Sequence, residues 1–142
     1  MGVFRTILYL CVITAIVAVV VLLVYKQVSE HYQQLDPMLQ TIKDSLRPLH
    51  PRVESIDFFE GKKSYTINKK RIYLCLKDKN EEYYDQNMLL YVAIHELAHV
   101  LCDEIGHTAK FNRIFQEQLQ RAVELGIYDP DKPIVRDYCG HT

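Results

Sequence analysis

The chain has 142 residues, of which 49% are hydrophobic and 25% are charged, and its formal net charge is −1. This balance excludes a globally basic nucleic-acid-binding protein, so we expect no direct nucleic-acid binding, although it leaves room for a local basic patch. The length allows one compact domain beside an unusual N-terminal segment. The cysteines form no CxxC pair, are too scattered for a disulfide scaffold, and fit a reducing compartment; they are Cys11, Cys75, Cys102 and Cys139.

An apolar segment occupies residues 7–25, between an N-terminal cap of residues 1–6 and Lys26. In a helix this segment spans about 28 Å, close to the hydrocarbon thickness of a bilayer. A cleaved signal peptide has a shorter apolar run that ends in small residues, whereas this run ends in Leu22-Leu23-Val24-Tyr25. The sequence therefore predicts a single-pass N-terminal signal anchor that contacts the lipid bilayer through residues 7–25.

The side of the membrane is left open by the flanking residues. Arg5 and the terminal amine lie before the apolar segment and Lys26 lies after it, so the positive-inside rule does not predict the orientation of the segment. Gly2 followed by Thr6 matches the pattern for N-myristoylation, and an acylated Gly2 would be cytosolic. An ordinary signal-anchor start is the alternative that we favour for so short a match.

Residues 26–50 are predicted to form a linker and a short amphipathic helix. Asp36-Pro37 is typical of a helix start, and Pro48 and Pro51 end the helical pattern. The apolar residues that recur at helical spacing are Leu35, Leu39, Ile42 and Leu46. We expect this helix to pack on the domain that follows.

Residues 51–142 are predicted to form an α+β domain that begins with a small β-meander. The expected strands are short runs rich in β-branched and aromatic residues, at 53–59, 64–67 and 71–76. The third run is apolar on both faces, which suits a strand that is covered on both sides.

Two long helices are predicted after the strands. The first starts near Asp85 or Asn87, either of which can cap it, and Gly106 is placed to end it. The second runs over residues 108–125, and Gly126 is its C-terminal stop.

The first long helix contains the sequence His95-Glu96-Leu97-Ala98-His99. Two histidines four residues apart lie on one helix face, so both can bind a single Zn²⁺ ion. Glu96 is placed to act as the general base that takes a proton from a water at the metal. His107 is our choice for the third ligand, because a chain that turns at Gly106 can face the same ion.

Several residues compete for roles at this site. Glu117 would supply a carboxylate ligand from the following helix, and Cys102 or Cys139 would be bound if the zinc were structural with four protein ligands. In a catalytic site, Cys102 and Asp103 are expected only to support the ligands or to pack beside them, and Glu104 lies in the same helical run. Cys139 and His141 would fold back over it, and the candidates for stabilising an oxyanion are Tyr83, Tyr84, Tyr128 and Tyr138. Two core histidines held by hydrogen bonds are the alternative without a metal.

At these residues the chain resembles the WLM and SprT-like zincin metallopeptidases. The similarity covers the HELAH helix and the segment Gly106-His107-Thr108-Ala109-Lys110-Phe111, over roughly residues 65–126. It implies a zincin-like fold, His95, His99 and His107 as zinc ligands, Glu96 as general base, and Phe111 behind the third ligand. It also implies that a peptide substrate adds to the strand at 71–76, through Ile72, Tyr73 and Leu74.

The chain departs from these families in two ways. His107 lies eight residues after His99, two more than in the WLM pattern, and the N-terminal anchor is foreign to the soluble members. The Tyr138-Cys139-Gly140 tail is similar to sequences of large DNA viruses, which would place the protein in a virion or host membrane. The sequence predicts a membrane-anchored zinc metallopeptidase. An inactive zincin-fold adaptor tethered to a membrane is the alternative.

Overall fold

The computed structural model describes residues 1–140, and the chain divides into two units, Met1–Gln33 and Gln34–Thr142. The first unit is one helix, α1 (Gly2–Gln33), in which no residue is buried. By length and composition α1 is able to cross a membrane. The helix continues eight residues past the apolar segment, so the polar stretch after residue 25 is helical.

The second unit begins with helix α2 (Pro37–Leu46). Its N-cap is Asp36, whose side chain accepts a hydrogen bond from the backbone N–H of Met38 at 2.9 Å. The predicted apolar face is confirmed for Leu39, Ile42 and Leu46, which are buried, whereas Leu35 is exposed. Because α2 shares the core of the domain, the compact unit starts at residue 34 and not at 51.

A short 3-10 helix (Pro51–Ser55) precedes three strands, β1 (Asp57–Glu60), β2 (Tyr65–Ile67) and β3 (Arg71–Leu74). The strand order is β1-β3-β2, with β1 parallel and β2 antiparallel to β3. The predicted β-meander is therefore wrong, although the three strands exist. The strand that is apolar on both faces takes the central position, where both of its edges are paired and both faces are covered.

The central position of β3 also makes the predicted peptide-docking strand wrong. Ile72 and Leu74 are fully buried, and Tyr73 stacks between Phe59 and Tyr65 at ring distances of 4.8 and 4.7 Å. A strand with a neighbour on each side has no free backbone groups for a further strand. Within residues 1–140, β2 is an edge strand of the sheet on the side away from β1.

Helices α3 (Gln86–Leu101) and α4 (Ala109–Glu124) pack against each other, and α3 also packs on the sheet. The predicted cap at Asp85 and the predicted stop at Gly126 are confirmed, since Asp85 caps α3 and Gly126 follows α4 with φ +70°. Thr108, expected as the first residue of α4, is its N-cap. Helix α3 ends at Leu101, five residues before Gly106, which instead lies in the connecting loop with φ +83°.

A disulfide joins Cys75, just after β3, to Cys139 in the C-terminal tail. The cysteine pattern predicted no disulfide scaffold and fitted a reducing compartment, whereas this pair forms a disulfide. The two residues are 64 positions apart, and only the folded sheet brings them together. Tyr138 fixes the same tail, since its hydroxyl donates to the carbonyl of Cys75. Cys11 and Cys102 are free, and His141 lies outside the described residues.

Candidate metal centre

The three predicted histidines converge at one point between α3 and the loop that follows it. His95 and His99 project from successive turns of α3, and His107 directly precedes the N-cap of α4. The Nε2 atom of His107 lies 3.1 Å from that of His95 and 3.2 Å from that of His99. All three potential ligand nitrogens lie within 4.8 Å of one another.

This geometry fits a tetrahedral metal ion. Nitrogens about 2.0 to 2.1 Å from a tetrahedral zinc ion lie about 3.3 Å from each other, which matches the two short separations. Three imidazole nitrogens leave one coordination position open, as in zinc hydrolases and unlike structural sites with four protein ligands. The donor set and its spacing therefore fit a metal ion that keeps one position for a further small ligand.

Phe111, in the first turn of α4, packs beneath all three imidazoles. Its ring centroid lies 5.0 Å from that of His95, 4.2 Å from that of His99 and 4.9 Å from that of His107. Phe111 is 1% exposed, so it restricts the rotation of all three rings at once. The packing that the family resemblance implied for Phe111 is present.

Two of the histidines, His95 and His99, are held in the neutral form that binds metals. Burial, together with the neighbouring His99 and His107 rings, lowers the pKa of His95 to about 4. Burial also lowers the pKa of His99, with His107 and Lys69 contributing. A neutral imidazole keeps a nitrogen lone pair available for coordination near pH 7.

Glu96 is buried beside His95, with 5% of its surface exposed. Burial raises the pKa of its carboxyl group to about 7, and a hydrogen bond from the hydroxyl of Thr66 opposes that rise. The Thr66 Oγ1 atom donates to Glu96 Oε2 at 2.7 Å. A carboxyl group that titrates near pH 7 is suited both to accept a proton and to return it.

A cleft of about 480 Å³ opens over the histidines and Glu96. One wall is formed by β2 and the turns around it, including Tyr65, Thr66 and Lys69, and the other by the loop at residues 104–107. Edge strand β2 therefore borders the same cleft as the metal-binding atoms. The sequence reasoning missed Thr66 and Tyr65, because their proximity to Glu96 depends on a strand order that periodicity does not reveal.

The competing residues do not join the histidine cluster within the described part of the chain. Glu117 is exposed and lines a separate depression on α4. Cys102 is buried at the end of α3, Asp103 pairs with Lys110 at 2.6 Å, and Cys139 is used by the disulfide. The cluster consists of His95, His99 and His107, and the fourth protein ligand of a structural site is absent from it.

The tyrosines proposed as oxyanion stabilisers lie outside the cleft. Tyr83 donates to Asp36, Tyr84 accepts from the backbone N–H of Cys139, and Tyr128 packs on Tyr91. Tyr138 is buried among its hydrogen-bond partners, and burial raises its pKa to about 12. Tyr65 is the tyrosine that lines the cleft, and it is 42% exposed.

Comparisons with known proteins find viral relatives. The chain is 59% identical over 83 residues to an uncharacterized protein of Invertebrate iridescent virus 6, a match that covers 56% of this chain and 47% of the relative. It is 50% identical over 86 residues to an uncharacterized protein of Invertebrate iridescent virus 3, which covers 60% and 54%. A third relative, from Acanthamoeba polyphaga mimivirus, is 35% identical over 112 residues, which covers 69% and 54%.

The chain thus spans about half the length of the curated relatives that it matches. No family model matches the chain, and no solved structure matches it. The chain therefore has relatives among viral proteins.

Proposed function

We propose that this chain is a membrane-anchored zinc metallopeptidase of viral type, with a zincin-like catalytic domain. The observation that carries the proposal is the convergence of three imidazoles beside a buried carboxyl group at the floor of an open cleft. The resemblance of residues 95–111 to the WLM and SprT-like metallopeptidases supports it, since the ligand and base positions coincide.

His95, His99 and His107 would hold the ion, and Phe111 keeps their rings in place. When bound, zinc would supply Lewis acidity that polarises a peptide carbonyl and lowers the pKa of a water molecule to about 7. The three rings are neutral ligands, so they leave the positive charge of the ion available for that task.

Glu96 would act as the proton carrier of the reaction. Its carboxylate takes a proton from the attacking water, and the resulting carboxylic acid gives it to the nitrogen of the departing amine. Burial favours the neutral acid, and the Thr66 hydrogen bond favours the carboxylate, so both forms are accessible near pH 7. Thr66 also holds Oε2 in one orientation towards the cleft.

The open edge of β2 would align the substrate. An extended peptide that pairs with Tyr65–Ile67 would run along the cleft past Glu96. Because backbone hydrogen bonds bind such a peptide, they select little for its amino-acid sequence. This role replaces the one expected for β3, whose edges are both occupied.

Helix α1 would tether the catalytic unit to a lipid bilayer of the virion or the host. Its apolar residues are exposed, and the helix is long enough to cross a membrane. A tethered peptidase acts on proteins at the membrane surface.

The substitution Glu96→Gln tests the proposal on the full chain in detergent, with zinc measured by elemental analysis. We expect about one zinc ion per chain in both proteins and a 100- to 10,000-fold loss of peptide hydrolysis, which is about the usual contribution of a general base. Glu117→Gln, at the exposed competitor on α4, is the matched control and should keep full activity. Absence of bound zinc, or full activity of Glu96→Gln, would contradict the proposal.

The second candidate is an inactive adaptor that keeps the scaffold. The observation that favours it is the open edge of β2, since a free strand edge binds an extended peptide without any catalysis. It predicts that Glu96→Gln leaves the biological phenotype unchanged, whereas the peptidase predicts loss of function with zinc retained.

A further inference from the structure

Edge strand β2 is flanked at both ends by exposed lysines. Lys62 and Lys63 lie in the turn before it, and Lys70 lies in the turn after it. We call these three residues the basic flanks. Within residues 1–140 none of them takes part in an ion pair, so their charges face solvent. In a chain whose net charge is −1, this is a local concentration of positive charge.

The basic flanks lie at the two ends of the strand that contacts the carboxyl group of Glu96. Thr66, which donates to Glu96, is the middle residue of β2. Lys63 lies in the connection that enters β2 from β1. Lys70 closes the turn after β2, where its backbone N–H donates to the carbonyl of Ile67 at 3.1 Å.

Three acidic side chains around the cleft are paired or lie across from β2. Asp103, near the opposite wall, is paired with Lys110, and Glu60 on β1 is paired with Lys77. Glu104 lines the cleft from the loop that carries His107, across from β2. Lys69 adds a further positive charge to the β2 wall, where it donates to the carbonyl of Cys102.

We infer that the site selects extended peptide segments that carry Asp or Glu on both sides of the bond opposite Glu96. This inference rests on the proposed peptidase function and names its substrate class. A peptide paired with β2 uses the free strand edge and the cations at both ends together, whereas a nucleic acid would use the cations alone. Exposed charges of this kind act mainly by steering the partner and fixing its register.

The test uses the full chain, loaded with zinc, in nanodiscs of phosphatidylcholine. Three fluorogenic peptides share one central sequence and carry Glu, Gln or Lys at the third and fourth positions on each side. We expect kcat/KM for the Glu peptide to exceed that for the Gln peptide about tenfold, with the Lys peptide slowest. The preference should shrink as salt rises from about 0.05 to about 0.5 M.

The triple substitution Lys62→Glu, Lys63→Glu and Lys70→Glu should reverse the order of the three peptides while hydrolysis of the Gln peptide persists. The matched control replaces Lys79, Arg113 and Arg136 by Glu, which changes the net charge equally at exposed positions outside the cleft. The control should keep the preference for the Glu peptide. Equal kcat/KM for all three peptides, or an order unaffected by the triple substitution, overturns the inference.

A binding measurement separates failure of this inference from failure of the proposed function. Fluorescence anisotropy with the Glu96→Gln variant reports the affinity for each labelled peptide without turnover. If no peptide is hydrolysed although zinc is bound, the peptidase proposal fails. The inference about acidic peptides is still supported if the Glu peptide binds more tightly than the other two and the triple substitution abolishes that difference. Equal binding of the three peptides overturns the inference about acidic peptides. The inference is also overturned if the triple substitution weakens the binding of single-stranded DNA but leaves the binding of all three peptides unchanged.

Discussion

Two local effects of opposite sign act on the pKa of the Glu96 carboxyl group. Burial between α3 and the sheet removes water from the carboxyl group of Glu96. This burial raises its pKa, whereas the hydrogen bond from Thr66 lowers it, and the resulting pKa is about 7. Desolvation is the larger effect. The balance keeps the group near the pH at which a proton carrier works best.

Replacing Thr66 by Val removes the hydroxyl and keeps the shape of the side chain. The pKa of Glu96 then rises, because the interaction that stabilised its carboxylate is lost. Activity needs the carboxylate, so the acidic limb of the pH profile of kcat/KM should move to higher pH by about one unit. Thr41→Val, which removes a hydroxyl bonded to Pro37 on α2, is the control and should leave the limb in place. An unshifted limb in Thr66→Val would show that Thr66 does not tune the base.

The loop between α3 and α4 decides whether the third histidine reaches the other two. The helix stops at Leu101, and the chain turns through Gly106, whose φ of +83° is rarely adopted by residues with a Cβ. His107 follows at once, and Thr108 then caps α4 by accepting from the N–H of Phe111. The two extra residues in this loop relative to the WLM pattern are accommodated without loss of the convergence.

Gly106→Ala should separate stability from metal binding, with Gly126→Ala as its matched control. Both glycines have positive φ and open space where a Cβ would be added, so each substitution should cost about 1 to 2 kcal/mol of stability by backbone strain alone. The strain at residue 106 is relieved when the loop leaves the conformation that presents His107. Zinc affinity, measured by chelator competition, should therefore fall about tenfold in Gly106→Ala alone. Equal affinities in the two variants would contradict this role of the loop.

At the scale of the whole molecule, the C-terminal tail completes the domain. The Cys75–Cys139 disulfide and the Tyr138 hydroxyl both attach it to the chain just after β3. The same hydroxyl lies 2.9 Å from the Oγ atom of Ser64, the residue before β2, so the tail also supports the strand that borders the cleft. Disulfides persist mainly in oxidising compartments, and this one indicates such a location for the unit Gln34–Thr142.

Breaking the disulfide should destabilise the domain measurably. Cys139→Ser removes a cross-link between residues 64 positions apart, and the free energy of unfolding should fall by about 2 to 4 kcal/mol. Reducing agent should lower the melting temperature of the unsubstituted protein to a similar value. Cys11→Ser, at a free exposed cysteine of α1, is the control and should change neither quantity. If neither the reducing agent nor Cys139→Ser changes the melting temperature, the tail is not held by this bond.

The sequence alone predicted the features that depend on neighbours along the chain. The helix caps at Asp36 and Asp85 act on backbone groups two residues away, and the four-residue spacing of His95 and His99 places them on one face of any helix. The apolar length of α1 is likewise a local property. Glu96 could be singled out for the same reason, since its role follows from its place beside the first histidine.

Only the tertiary structure decided the features that join distant segments. The order β1-β3-β2, the contact of Thr66 with Glu96 across 30 residues and the disulfide across 64 residues leave no periodic signal in the chain. Strand order is set by which strand buries both faces and both edges most favourably, and that depends on all the elements packed around it. The sequence by itself therefore singled out the three histidines proposed to bind the metal, and the packing of the sheet decided which strand lies beside them.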